Sequence, residues 1–191
     1  MHSDRPRYSD RPFPRYRFVP GETPHPRRHP DGHSFGQPEP SSTAFATELW
    51  RDSETYVFGI DLFNFGYWWE SHESFEALWH AFDRQTPEAR FFQGLIQLAA
   101  AHLKRRSGNE SAAIRLSGRS RTTLEGTPIR YMGLDVAGLV KDIKRFCATP
   151  TGPAVYLSLD FSNEQPIATP ADYTTGHQTN ERSRASDKRK P

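Results

Sequence analysis

Gly66-Tyr67 separates two runs of helical apolar periodicity and leaves only two or three residues to connect them. Before it, Trp50, Tyr56, Val57, Ile60 and Phe63 recur at three- to four-residue spacing, which predicts a helix over 47–64. After it, Trp68, Phe75, Leu78, Trp79 and Phe82 share one side of a predicted helix over 67–82. So short a connection forces the two helices to run antiparallel and in contact. Gly66 suits the positive-φ position that ends the first helix, and the Asn64 side chain is placed to cap the second.

A second hairpin repeats the pattern. Thr86-Pro87-Glu88 supplies a hydroxyl cap, a proline in the first turn and an acid at the positive end of the helix dipole. The helix it opens runs to about Arg106, and its middle, FFQGLIQLAAAHL, is apolar nearly all round, which predicts the most buried helix. His102 falls on its apolar face and reads as a core histidine. Gly108-Asn109 turns the chain into a fourth helix over 110–124, Gly126-Thr127-Pro128 breaks it, and Asp135 caps a last helix over 136–147. The two Gly-x turns are offset by 42 residues, a weak duplication that resembles tetratricopeptide-like stacking without its full consensus. The expected fold is all-α: a compact bundle of about five helices built from two antiparallel hairpins.

The ends differ in kind. Residues 1–42 carry nine prolines, a density that excludes helix and sheet. Over 1–17 this predicts a disordered basic arm, and Arg5, Arg7, Arg11, Arg15 and Arg17 alternate with Tyr8, Phe13, Tyr16 and, just past it, Phe18. That interleaving can bind phosphates and stack on bases, so nucleic acid is a conceivable partner through the arm. The 18–42 segment, with turn signals and His25, His29 and His33, reads either as a mobile tail or as an extended arm closing over the Trp-rich helix. The helical domain is bounded at 43–150, and 151–161 reads as an extended segment packed on helices. Residues 162–191, ending in SRASDKRKP, read as a disordered tail.

The polar residues of the second helix are the candidate site. His72 and Glu76 lie one turn apart at the margin of the apolar stripe, with Glu73 just beyond and Glu70 pointing away. The spacing His72-Glu73-x-x-Glu76, an HExxE pattern, invites comparison with the H-E-x-x-H zinc helix. Here Glu76 replaces the second histidine, Glu73 stands where the base would be, and His80, His25 or His33 is available as a further ligand of a divalent metal. Two other readings stand beside it. One is a buried structural network of Asn64, His72, Glu73, Glu76, Gln93 and Gln97. The other is a ligand pocket lined by Trp68, Trp69 and Trp79. No phosphate-binding glycine loop and no triad-like grouping of Ser, Cys and His is visible in the sequence.

The run LFNFGYWWESHESFEALW (62–79) resembles the signature of the domain of unknown function 309 family, and QGLIQLAA (93–100) is similar to its second motif. The resemblance covers about 43–148. It implies an all-α bundle and no reaction. Ser71 stands where the family's pattern has Ala.

A net charge of +2 conceals an uneven distribution: the 48–88 stretch is acidic, while 104–121 holds six bases against Glu110. The basic stretch reads as a solvated face or a phosphate-binding one. The lone Cys147 fits a reducing compartment and lacks partners for a structural zinc site. No apolar run is long enough to span a membrane and the first residues lack the pattern of a secretory signal, so a cytoplasmic protein with no membrane partner is expected. Two functional classes follow: a ligand- or partner-binding module with a Trp/His/Glu cluster, or a metal-dependent hydrolase-like enzyme with His72 and Glu76 as ligands.

Overall fold

The computed structural model describes residues 5–162. Its helices are α1 (Glu54–Asn64), α2 (Trp68–Ala81), α3 (Pro87–Arg106), α4 (Glu110–Leu124) and α5 (Val136–Ala148). A short 3₁₀ helix, Thr47–Asp52, precedes α1. It is separate from α1 because Ser53 adopts an extended conformation and its side chain accepts the Tyr56 N–H. The single helix expected over 47–64 is therefore two, divided at an N-cap serine. Three later helix starts also have side-chain acceptors, Thr86 for α3, Asn109 for α4 and Asp135 for α5, whereas α2 starts at Tyr67 without one.

Both hairpins close with the same turn. Gly66 and Gly108 sit at φ 81° and 76°, and the N–H of the following residue reaches back to Leu62 O and Lys104 O respectively. This is the left-handed helix end that the sequence signalled. The α1–α2 and α3–α4 hairpins pack through α2 and α3, and α5 lies against α4. In each hairpin a buried serine ties the helices together. Ser71 Oγ donates to Gly59 O at 3.0 Å, and Ser120 Oγ donates to Gly94 O at 2.8 Å. The core between them includes Tyr56, Ile60, Phe63, Phe75, Phe91, Phe92, Leu95 and Leu98, all buried. Among the described residues no helix is long and apolar enough to cross a membrane.

Two features lie outside the helical periodicity. Arg130–Tyr131 and Leu134–Asp135 form a two-stranded antiparallel hairpin, β1–β2, around Met132 and Gly133, both at positive φ. Residues 154–160 run extended with Val155, Leu157 and Leu159 buried, and belong to no sheet. In place of a partner strand, Leu157 meets the Asn64 side chain: Nδ2 donates to Leu157 O at 2.8 Å, and Leu157 N–H donates to Oδ1 at 2.9 Å. Asn64 thus does not cap α2. Its amide is the same shape as a peptide group and serves as a one-residue strand edge.

The 1–17 segment differs from the disordered arm that its composition suggests: from Arg5 on it is laid along α1. The carboxylate of Asp61, which has no exposed surface, accepts the N–H groups of Tyr8 and Ser9 and the Ser9 hydroxyl at 2.8–2.9 Å. Proline density excludes helix and sheet, yet a chain without its own ladder can dock when a buried acceptor takes its N–H groups. Of the expected C-terminal tail, 163–191 lies outside the described residues.

Candidate functional site: the groove between the N-terminal arm and α2

Helical spacing brings His72, Glu73 and Glu76 together. One ligand-type atom from each lies within 4.8 Å of the others, and all three residues are half-buried. His72 Nδ1 stands 3.8 Å from Glu76 Oε2 and has no hydrogen-bond partner. Burial pushes the His72 imidazole below its ordinary pKa, opposed by the Glu76 charge. Burial also pushes the Glu73 carboxyl up, and the neighbouring Glu76 charge adds to this, with Arg27 opposing. The site thus sets an unpartnered imidazole nitrogen beside two crowded carboxylates.

Glu73 and Glu76 also line a groove of about 490 Å³. From α2 its wall includes Trp69 and His80; from the arm it includes His25, Arg27, Arg28 and Glu39. Arg27 Nε approaches Glu73 Oε2 at 4.0 Å. The His25 ring meets Trp69 edge-on at 5.5 Å and Phe18 at 5.0 Å, while its Nδ1 accepts the Arg27 N–H. Burial lowers the His25 pKa, and the charge of Arg28 lowers it further. Acids stand along the helix side of the groove, and two arginines stand on the arm side.

The remaining expected site residues make other contacts or lie apart from this cluster. Trp68 meets His102 in a tilted pair at 5.3 Å, away from Trp69. Trp79 lies under the Arg84 guanidinium, 3.3 Å from its ring centre, and His80 Nδ1 is 2.9 Å from the same arginine. Gln93 is exposed on α3, and Gln97 accepts the Thr123 hydroxyl of α4 at 3.1 Å. With Asn64 engaged by Leu157, the expected six-residue network is divided: His72, Glu73 and Glu76 stay together, Asn64 and Gln97 serve other contacts, and Gln93 faces outward. The close-packing face of α3 meets α4, so its amides never reach α2.

Glu70, which the wheel turns away from the apolar stripe, is buried under the arm. Its Oε1 accepts the Phe18 N–H and faces His33 Nε2, each at 2.9 Å. His33 belongs with Glu70 rather than with His72. The only sequence signal for this was the GHS turn in a proline-rich segment. The alternating arginines of 5–17 are likewise engaged internally: their guanidinium groups lie over the rings of Tyr156, Phe13, Phe58, Tyr16 and Tyr67 in turn. In the basic stretch, Arg105 pairs with Glu110, Arg106 with Glu22 and Arg121 with Glu125.

Residues 56–116 match the family model described as a domain of unknown function, DUF309. Over that span the chain is similar to the DUF309 family. No curated protein matches the chain. The DUF309 match is narrower than the 43–148 span of the sequence resemblance. It takes in nearly all of α1, all of α2 and α3 and the first half of α4, hence His72, Glu73, Glu76 and Glu70. The arm that supplies the other wall of the groove lies outside it.

Proposed function

We propose that the protein is a ligand-binding module. In this reading a divalent cation sits on His72, Glu73 and Glu76, and the groove beside it receives the anionic group of a small ligand. The observation that carries this is the convergence of an imidazole nitrogen and two carboxylate oxygens within 4.8 Å. Three protein donors of these types suit a borderline or hard cation and leave positions for a ligand. Arg27 and Arg28 on the facing wall supply the complement for a carboxylate or phosphate. A cation also offsets the repulsion between Glu73 and Glu76.

The alternative of a metal-dependent hydrolase draws on one observation, the raised pKa of Glu73, which suits a general base. Calorimetric titration with Zn²⁺ and Mn²⁺, together with elemental analysis of purified protein, tests the binding reading. Glu76→Gln is expected to lower cation affinity at least about tenfold, since it removes a charged donor, while leaving the fold intact. Equal affinity in wild type and Glu76→Gln, or no binding in either, removes the site.

A further inference from the structure

A different group of side chains, built on Glu70 of α2 and the arm, has the geometry of a nucleophilic relay. Ser34 Oγ is 2.8 Å from His33 Nδ1, and His33 Nε2 is 2.9 Å from Glu70 Oε1. The side chains of His33 and Glu70 are only 7% and 5% exposed. Glu70 Oε1 already accepts the Phe18 N–H, so Nε2 is the protonated nitrogen that donates to it. Nδ1 is then the acceptor for the Ser34 hydroxyl. This is the order of roles in a Ser-His-acid triad with the two ring nitrogens exchanged.

The segment that carries Ser34 is held as a site needs to be. Ser34 N–H donates to Pro26 O at 3.0 Å, and His33 N–H donates to the Tyr16 hydroxyl at 3.3 Å. A side chain on Gly32 would come within 2.1 Å of Pro26 O, so only glycine permits this crossing of the chain. His33 and Ser34 both line a cavity of about 680 Å³ that is separate from the groove lined by Glu73 and Glu76. Arg11 and Arg15 bring positive charge to it, and Phe13 and Phe58 give it an apolar wall.

We propose that Ser34 is the nucleophile of an esterase-type site, with His33 as base and Glu70 positioning it, for small esters that bear an anionic group. Ser34 Oγ bonds to the acyl carbon while its proton passes to His33 Nδ1. The ester C–O bond breaks, and the departing alcohol takes that proton. Water then attacks the acyl-serine, giving a proton to Nδ1. The Ser34–acyl bond breaks, Ser34 recovers the proton, and the acid leaves. The net change is ester plus water to acid plus alcohol.

The test is labelling of the full chain with an alkyl fluorophosphonate, read by peptide mass spectrometry, beside hydrolysis of 4-nitrophenyl succinate. Wild type is expected to be labelled at Ser34, and Ser34→Ala to lose label and hydrolysis with an unchanged melt. His33→Gln is expected to slow labelling about 10²–10⁴-fold. Glu70→Gln keeps an oxygen acceptor for Phe18 and His33, so the arm stays docked while labelling falls at least about tenfold. Glu70→Gln also decides the matter if His33→Gln unfolds. No label at Ser34 in folded wild type, or equal rates in wild type and Glu70→Gln, overturns the proposal.

Discussion

The helical hairpins and the N-terminal arm are held by different physics. The hairpins and α5 bury a continuous apolar core that includes residues from Tyr56 to Phe146. The arm buries little beyond Phe18 and Val19 and docks through directional bonds to two enclosed acids, Asp61 and Glu70. Apolar burial is non-directional and scales with area; a hydrogen bond depends on one partner being present. A core substitution should therefore lower the stability of the whole domain, whereas removing every acceptor at one of the two acids should release the arm and leave the bundle.

The largest expected effect is on the core. Phe92 is fully buried and meets Tyr56, Phe82, Phe91 and Phe45. Phe92→Ala is expected to cost about 3–5 kcal/mol. Helix signal and arm protection should disappear in one transition on chemical denaturation. If the arm were to keep its protection after the helices melt, the two regions would not be coupled in this way.

A second test uses a core group that titrates. His102 lies among the rings of Phe63, Trp68 and Phe146, and its Nε2 has no partner. Burial lowers its pKa from 6.5 to about 3, with Arg105 adding to the shift. Below pH 6.5 the unfolded chain takes up a proton that the folded one refuses until about pH 3. Stability from this residue is thus complete above 6.5 and is lost as the pH falls toward 3. Between pH 6.5 and 4.5 the loss is roughly 2–3 kcal/mol. Comparing denaturant midpoints across that window for wild type and His102→Phe isolates it. A wild-type slope that persists unchanged in the variant would assign the titration to another group, with His72 the first to examine.

The same contrast explains what the sequence made visible. Apolar periodicity and cap residues placed four of the five α-helices within a residue or two, because those signals repeat along the chain. The break at Ser53 was missed because the apolar spacing continues across it. His72, Glu73 and Glu76 were legible as a group because i, i+1, i+4 spacing on one helix needs no tertiary information. Asn64, Gln93 and Gln97 were not, since an amide can pair with any nearby chain and its partner is set by packing. In Ser34-His33-Glu70 the histidine and the acid are 37 positions apart, and the group joins a proline-rich turn to the side of α2 turned away from its apolar stripe. Only the docking of the arm brings it together.

That docking has its most local test at Asp61. Oδ1 accepts the Tyr8 N–H, and Oδ2 accepts both the N–H and the hydroxyl of Ser9. Asp61→Ala removes every one of these acceptors. The cost is limited to about 1–3 kcal/mol, because the orphaned donors can return to water once the arm lifts. Hydrogen exchange of residues 8–17 should rise sharply, while α3 amides keep their protection. Asp61→Asn is the sharper variant. It keeps one oxygen acceptor but places an NH₂ where the second stood, facing donors, so one of the two backbone bonds must break. Exchange over 8–17 should fall between wild type and Asp61→Ala. Should Asp61→Ala instead lower the protection of α3 as much as that of the arm, Asp61 would belong to the core, and the division between burial and directional bonding would fail at that residue.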